Sequence, residues 1–208
     1  MLQPEAYNPL EYGAITDSIS RQFFSTDPVP LAEVTSFEGS GIYALFYTGR
    51  FPAYARLAAE NRRVPGSLPI YIGKAAPSRR KGDQSVMDLA ANVYEGTGLF
   101  TRIKNHRASI EAAKNLDVSD FTVRLLVLPY IWVPMAETAM INRFLPLWNN
   151  VVDGFGNHNP GKGRINGVRP RWDTLHPGRE WADRYPERDE TAEDIAQDVV
   201  DHLNRLYH

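Results

Sequence analysis

Two short apolar runs, residues 41–47 and 68–73, constrain the fold of this chain more than any other feature of its sequence. Aromatic and β-branched residues dominate both runs, and glycine or proline bounds them, so each is predicted to form a β-strand. The first run begins with Gly41-Ile42-Tyr43, and the second ends with Tyr71-Ile72-Gly73. Taken alone, the two runs also fit an ordinary hairpin that carries two tyrosines. The rest of the chain is needed to tell whether these strands have a function.

The remaining sequence predicts a single domain of the α/β (α+β) class. The spacing and propensity of its residues predict helices over 16–24, 53–60, 99–115, 136–145 and 191–207. A third strand-like run covers 121–128, so we expect a small, mainly antiparallel three-stranded sheet flanked by helices. The expected parts of the domain 1–208 are a helical N-terminal arm (1–40), a core (41–149) with an insertion (50–67), and a glycine- and arginine-rich loop followed by the C-terminal helix (150–208).

Composition narrows the classes of protein to which this chain of 208 residues can belong. It contains no cysteine, which excludes disulfides, thiolate metal sites and a cysteine nucleophile. No apolar run approaches the roughly 18 residues of a membrane span, and residues 1–5 lack the features of a signal peptide. We therefore expect a cytoplasmic protein without a membrane partner.

Charge is distributed unevenly along the chain, although the formal net charge is only −2. Residues 50–107 hold eleven bases against four acids, whereas residues 180–208 hold nine acids against three bases. A basic zone on an otherwise acidic protein is typical of a surface that binds a polyanion. Charged runs are also common on solvated helix faces, so charge alone does not choose between these interpretations.

Six side chains on the predicted elements form a set suited to phosphodiester hydrolysis: Tyr43, Tyr71, Arg102, His106, Glu137 and Asn149. Such a reaction needs a base for water, a cation beside the developing charge and a group that stabilises the leaving oxygen. Each residue alone has a simpler explanation. Tyrosines usually pack in strands, histidines lie on solvated helices, and acids are favoured near helix N-termini.

Three members of the set have a chemical role that follows from their own side chains. Glu137 is the one carboxylate among the six and suits a single Mg²⁺ that keeps most of its waters. Arg102 can grip a phosphate oxygen in bidentate fashion. His106 lies four residues later, on the same face of the predicted helix, and an imidazole with an ordinary pKa near ~6.5 can accept a proton at cellular pH.

The order of the six residues resembles that of the GIY-YIG nucleases. The two triplets are followed by arginine with histidine four residues later, by a glutamate near a helix start, and by Pro-x-Trp-Asn at 146–149. The segments 68–75, 148–158 and 176–181 are similar to the small type II restriction endonucleases that cut CCGCGG. Tyr43 and Tyr71 are 28 positions apart, farther than in most of these nucleases, but the restriction subgroup also carries an insertion here.

The resemblance implies a GIY-YIG fold and metal-assisted cleavage of both strands of DNA, with Mg²⁺ as the cofactor and Mn²⁺ as an alternative ion. It implies that Tyr43 activates water for in-line attack, although the first proton could also go to His106. Tyr71 would then support the water or the phosphate, Lys74 would add charge, and Asn149 would help to hold the Glu137 side of the site.

The partner expected from the resemblance is double-stranded DNA with a palindromic site built of G and C. A palindrome cut on both strands predicts a homodimer, and a companion DNA methyltransferase is expected in the same system but not as a bound subunit. Basic side chains could read guanine or clamp phosphates, and the sequence does not sort these two roles. The candidates are Arg62, Arg63, Lys74, Arg79, Arg80, Lys81, Lys104, Lys162, Arg164, Arg169 and Arg171.

Two other functions fit the sequence less well. A nicking, repair or homing nuclease of the same class usually carries a separate DNA-binding domain, for which this chain has little room. A catalytically inactive DNA-binding module would be expected to lack part of the set of six residues, and none is missing. The exact recognition sequence, the cut position, and the roles of the insertion and of His158 stay open.

Overall fold

The fold is built on one antiparallel sheet in a computed structural model that describes residues 12–76, 96–157 and 167–207. Its strands lie in the order β1-β4-β2-β3, and every neighbouring pair is antiparallel. The strands are β1 (Val29–Pro30), β2 (Gly41–Tyr47), β3 (Pro69–Ala75) and β4 (Phe121–Val127). The small antiparallel sheet expected from the sequence is therefore confirmed.

A strand of two residues adds a fourth member to the three predicted strands. β1 pairs with β4 through Val29 opposite Val123 and Pro30 opposite Thr122. Proline has no backbone N–H donor and is confined to sheet edges, first residues and bulges. So short a run that contains a proline carries almost no strand signal, which is why the sequence did not predict it.

Helices cover both faces of the sheet, as expected for this class. The helices of the described residues are α1 (Tyr12–Phe24), α2 (Ala55–Arg63), α3 (Gly98–Ala112), α4 (Val133–Phe144), α5 (Leu147–Asn150), α6 (Arg171–Leu175) and α7 (Ala192–Leu206). One apolar cluster lies between the sheet and α1 and α4, and a larger one includes residues of the other five helices. None of these helices has the length and apolar content that a membrane crossing requires.

The central strand β2 is buried along its whole length between these two layers. Successive side chains of a strand point to opposite faces of its sheet. Tyr43 therefore enters the larger cluster with Leu45 and Tyr47, while Ile42 and Phe46 enter the smaller one. This alternation places the tyrosine of the first triplet on the side of the sheet that faces α3.

Helix α4, which carries Glu137, begins and ends with clear backbone signals. It starts at Val133, three residues before the predicted start, with Pro134 in its first turn, where a missing N–H costs nothing. It ends at Phe144, and the next residue, Leu145, has a left-handed φ of 45° and ψ of 54° just before Pro146. Glu137 therefore lies one turn inside the helix.

The insertion at 50–67 packs against the domain. Leu57 and Ala58 of α2 are buried in the larger cluster. The Asn61 side chain donates to the carbonyl oxygens of Tyr47 and Leu68 and accepts from the Leu68 amide, at 3.1, 2.8 and 2.9 Å. These bonds tie the end of β2 to the start of β3. The division of the chain at 40/41 and 149/150 stays a prediction.

Candidate active site

The tyrosines of the two triplets lie side by side on the face of the sheet that α3 covers. The register places Tyr43 opposite Gly73, and a Cβ atom at Gly73 would lie only 2.5 Å from the Tyr43 hydroxyl oxygen. Glycine at this position therefore leaves room for the Tyr43 ring. The ring centroids of Tyr43 and Tyr71 are 6.2 Å apart, so the paired triplets bring two phenols together.

Tyr43 lies at the bottom of the site. It is 0% exposed, and among the described residues its hydroxyl makes no hydrogen bond of normal geometry, although Tyr71 and Arg102 lie close enough to act on its pKa. Burial above all, and then the neighbouring Tyr71, raise the pKa of Tyr43 well above its ordinary value of 10.0, while Arg102 opposes the shift. The phenol is therefore protonated at neutral pH. A buried polar atom without a partner costs free energy, and such an atom calls for a functional explanation.

Tyr71 lies nearer to solvent than Tyr43 and lines an open cleft. Burial raises the pKa of Tyr71, the Arg102 guanidinium lowers it, and the Glu137 carboxylate raises it again. The hydroxyl of Tyr71 thus lies in the field of one cation and one anion.

Helix α3 brings Arg102 and His106 to the same region at different depths. His106 is 1% exposed and lies with the buried apolar residues of the helix, whereas Arg102 lines the cleft. The His106 ring centroid lies 5.6 Å from that of Tyr43 and 5.0 Å from that of Tyr71. The explanation of His106 as a solvated helix residue therefore does not apply.

The cleft has a volume of about 450 Å³ and lies beside the edge strand β3. Because no strand of the described residues lies beyond β3, side chains from both faces of the sheet can meet around it. Its lining residues are Tyr71, Lys74, Ala75, Ala76, Thr97, Gly98, Thr101, Arg102 and Glu137. The cleft thus collects four of the predicted site and DNA-contacting residues, while Tyr43, His106 and Asn149 lie outside its lining.

Glu137 forms an ion pair with Lys74 in this cleft. The Lys74 Nζ lies 2.5 Å from the Glu137 Oε2, and the side chains are 43% and 19% exposed. Glu137 is the one carboxylate among the described residues of the lining. Mg²⁺ often takes one or two protein carboxylates and completes its shell with water and phosphate oxygens. The donor set therefore fits a single Mg²⁺ on Glu137, on the condition that Lys74 shares or releases the carboxylate.

The described ranges contain no group of three or more His, Asp or Glu side chains arranged to hold a metal ion. Within those ranges, a metal in the cleft would depend on Glu137 and on oxygen atoms of water or DNA. This arrangement suits Mg²⁺, which gives up its waters reluctantly.

Asn149 lies beneath the cleft and binds the backbone of β3. Its Oδ1 accepts from the amide of Ile72, and its Nδ2 donates to the carbonyl oxygen of Ile72, both at 2.8 Å. The side chain thus pairs with the free edge of β3 as a neighbouring strand would. Since Ile72 lies between Tyr71 and Gly73, Asn149 fixes the backbone of the second triplet.

Two of the basic residues predicted to contact DNA, Arg62 and Arg63, lie in the insertion and make hydrogen bonds or ion pairs inside the protein. Arg62 donates to the carbonyl oxygens of Thr48 and Gly49 at 2.6 and 3.1 Å. Arg63 pairs with Glu60 at 2.6 Å, with its own side chain 70% exposed. Both residues are exposed, and the DNA contact of each stays a prediction.

The C-terminal basic residues also make internal contacts. Arg171 donates to the Val151 carbonyl oxygen at 2.6 Å and pairs with Glu190 and Asp198, with its side chain 15% exposed. Arg169 donates to a carbonyl oxygen at 3.4 Å, and Lys104 on α3 is exposed. The DNA contacts of Lys104, Arg169 and Arg171 stay predictions. The predicted residues that lie outside the described ranges are Arg79, Arg80, Lys81, Lys162 and Arg164, and His158 lies there too.

Sequence reasoning did not identify Phe155, which forms a wall of the site. Its ring stacks on His106 with centroids 4.4 Å apart and an interplanar angle of 20°, and it lies 4.9 Å from the Tyr71 ring. The one feature of the sequence that pointed to Phe155 was the presence of an aromatic residue in a glycine-rich loop. Its contact partners depend on the path of the loop, which composition does not predict.

The fold and the site together define the class of this protein. An antiparallel sheet sets the two triplet tyrosines against the histidine of α3, and a neighbouring cleft holds arginine and glutamate. This is the arrangement of a GIY-YIG nuclease.

A comparison with protein families then identifies the particular family. The family model described as the Eco29kI GIY-YIG domain matches residues 35–203. The chain therefore belongs to this restriction endonuclease family and is a nuclease that acts on DNA. No curated protein matches the chain.

Proposed function

We propose that this protein is a type II restriction endonuclease that makes Mg²⁺-dependent double-strand cuts at a palindromic site of G and C, with CCGCGG as the candidate sequence. The observation that carries the proposal is the convergence of Tyr71, Arg102 and Glu137 on one open cleft. A phosphate in this cleft would meet a cation, a hydroxyl donor and a carboxylate suited to a metal ion.

The proposed chemistry begins with a water molecule that attacks the phosphorus atom in line with the leaving oxygen. Because burial keeps the Tyr43 phenol protonated, Tyr43 acts as a relay: it takes a proton from the water while its own proton passes on to His106. Arg102 binds the phosphate oxygens and offsets their developing charge, and the Tyr71 hydroxyl orients the water or the phosphate. Bound at Glu137, Mg²⁺ supplies a Lewis acid that stabilises negative charge on oxygen.

Cleavage of both strands requires a second active site, because the described cleft is a single site per chain. We propose a homodimer whose two-fold axis coincides with that of the palindrome. Sedimentation with cognate DNA should give the mass of two chains on one duplex. A monomer both free and on cognate DNA would exclude this arrangement.

A restriction nuclease would also damage its own cell's DNA unless that DNA were protected. We therefore expect a companion methyltransferase that modifies the same site without binding this chain, and a cytoplasmic location where incoming DNA is met. Co-expression with a methyltransferase of that specificity should relieve the toxicity of the active protein.

The decisive experiment is incubation of plasmid DNA with the protein and Mg²⁺, followed by sequencing of the ends. We expect double-strand ends at one palindromic sequence and no cleavage in EDTA. Glu137→Ala should abolish cleavage while DNA binding persists. In a separate experiment, Mn²⁺ should restore activity to the wild-type protein from which metal has been removed. Lys114→Met, an exposed change outside the site, is the matched control and should cut at the wild-type rate.

The same experiment separates the other functions. Nicked circles alone would indicate a nicking or repair nuclease, and one long asymmetric site would indicate a homing nuclease. Binding without cleavage under all metal conditions would indicate an inactive DNA-binding module. Wild-type cleavage by Glu137→Ala would remove Glu137 from the proposed mechanism.

A further inference from the structure

Arg179 is a buried arginine beyond the helices that carry the proposed catalytic residues. It is 5% exposed, and its guanidinium lies against the rings of Trp172 and Trp181, with the Cζ atom 4.5 and 4.6 Å from their centroids. Its Nε and Nη2 donate to the two carboxylate oxygens of Asp173, both at 2.6 Å. Asp173 is itself 2% exposed, so the ion pair is enclosed.

The remaining donors of Arg179 bind three carbonyl oxygens of one loop. Nη2 donates to Gly154 at 2.9 Å, and Nη1 donates to Phe155 at 3.1 Å and to Asn157 at 3.2 Å. A guanidinium has five N–H donors in a fixed plane, and here each of the five has an acceptor. Lysine offers three donors on one atom and could not reproduce this set.

The loop held in this way, residues 154–157, forms the wall of the active site next to His106 and Tyr71. Phe155 stacks on the His106 ring at 4.4 Å and contacts the Tyr71 ring. A Cβ atom at Gly156 would lie 3.0 Å from the Tyr71 hydroxyl oxygen, so the loop backbone passes close to that group. The loop begins at Gly154 with a φ of 101°, a left-handed conformation that glycine adopts without strain.

Burial offsets part of the attraction within the pair, because two charges are removed from water. Burial raises the pKa of Asp173 above its ordinary value, although the hydrogen bonds and charge of Arg179 act in the opposite direction. Desolvation of a buried ion pair commonly cancels its attraction, while one unique arrangement of partners is retained. The three bonds to carbonyl oxygens connect the ion pair to loop 154–157.

We propose that the Arg179–Asp173 pair is a positioning element of the active site, which fixes loop 154–157 so that Phe155 and Gly156 hold His106 and Tyr71 in place for catalysis. This inference rests on the proposed function for the roles of those two residues. Neither Arg179 nor Asp173 lines the cleft that collects Arg102 and Glu137, so the pair acts on the reaction through the loop.

The test combines a rate with a structural signal that does not depend on catalysis. In Arg179→Lys, the single-turnover cleavage rate at saturating DNA should fall by about 100-fold, the loss that a displacement of about 1 Å can cause, while DNA affinity stays the same. The NMR signals of the His106 ring, recorded without DNA or metal, should lose the ring-current shift that the stacked Phe155 produces.

The matched control is Arg124→Lys. Arg124 is also buried between aromatic rings, Phe24 and Phe46, and also donates to backbone carbonyl oxygens, but it packs against the smaller apolar cluster on the opposite face of the sheet. Its replacement should lower thermal stability without changing the cleavage rate or the His106 signals. If Arg179→Lys does not fold, Asp173→Asn keeps the shape of the partner side chain but removes its charge, and it should reproduce both effects to a smaller degree. Phe155→Leu removes the ring itself and gives the reference signal of His106 without the stack.

The outcomes separate this inference from the proposed function. An unchanged His106 signal in Arg179→Lys and in Asp173→Asn would overturn the inference, and so would an altered signal with a wild-type cleavage rate. If the wild-type protein cuts no DNA, the proposed function fails. The NMR comparison alone still decides whether the pair fixes the loop on His106.

Discussion

Two clusters of tyrosine and histidine lie in the same apolar core of this nuclease, and they differ in how their polar atoms are paired. In the first, the Trp148 indole donates to the Tyr54 hydroxyl at 2.8 Å, and that hydroxyl lies 2.6 Å from the Nε2 of His176. The Nδ1 of His176 lies 2.9 Å from the Oδ1 of Asn115. With the proton on Nδ1, every one of these contacts is a normal hydrogen bond.

The second cluster contains Tyr43, Tyr71 and His106. Its rings are packed as closely as those of the first cluster, but the Tyr43 hydroxyl has no hydrogen-bond partner among the described residues. The polar atoms of the first cluster bind one another. The second cluster lies next to a cleft lined by Tyr71 and Arg102.

The difference shows how a structural and a functional cluster of the same residue types can be told apart. A complete hydrogen-bond network stabilises one arrangement and leaves nothing for a substrate. A buried hydroxyl without a partner lowers stability and is retained where the substrate or a proton transfer uses it. The two clusters should therefore respond to mutation in opposite ways.

The largest effect is expected from Tyr43→Phe. Loss of the hydroxyl should reduce the cleavage rate by about 10²- to 10⁴-fold, the usual contribution of a group that transfers a proton. The free energy of unfolding should stay the same or rise, because a buried unpaired hydroxyl is removed. Single-turnover kinetics and urea denaturation measure the two quantities, and a stability loss equal to that of Tyr54→Phe would break the comparison.

The second expected effect is a pH dependence of stability that comes from His176. Burial lowers the pKa of His176 to about 3, so between about pH 6.5 and 3 the unfolded chain binds a proton that the folded chain does not. The free energy of unfolding should therefore fall with falling pH by about 1.4 kcal/mol per unit from this group.

Urea denaturation of His176→Gln across this pH range checks the contribution. The variant should be less stable at pH 7 and should show a shallower loss of stability towards low pH. If the slope is the same in His176→Gln and in the wild type, burial does not lower the pKa of His176 in the folded chain below its value in the unfolded chain.

The third effect concerns Tyr54→Phe, the counterpart of Tyr43→Phe in the paired cluster. The change leaves the Trp148 N–H and a nitrogen of His176 buried without a partner, at a cost of about 1–3 kcal/mol. The cleavage rate per folded molecule should stay near that of the wild type. A thermal melt together with single-turnover kinetics tests this, and a large loss of rate with normal stability would make Tyr54 a functional residue.

The smallest effect is expected from Lys74→Met at the open side of the second cluster. Loss of the exposed ion pair with Glu137 should change stability by less than about 1 kcal/mol. If Lys74 binds a phosphate, the slope of log affinity against log salt should decrease in magnitude by about 1 on all DNA sequences. Lys114→Met should leave the slope unchanged, and equal slopes for both variants would remove Lys74 from the DNA contacts.

Much of the architecture could be predicted because it depends on local patterns. Short apolar runs rich in β-branched and aromatic residues predicted strands 41–47 and 121–128, which the structure confirms as β2 and β4 with ends within one residue. The two-residue strand β1 could not be predicted, because Val29 and Pro30 become a strand only by pairing with β4. The stack of Phe155 on His106 and the bonds from Arg179 to loop 154–157 were missed for a similar reason, since these partners lie far apart in sequence.

Local patterns in the chain were enough to predict the class of sheet, the order of the candidate residues and the resemblance to GIY-YIG nucleases. Those features follow from local periodicity and from residue order, which exist before the chain folds. The folded chain was needed to show that Tyr71, Arg102 and Glu137 share a cleft, and that Tyr43 lies buried behind it. These positions depend on strand register and on the free edge of β3, where side chains from both faces of the sheet can meet.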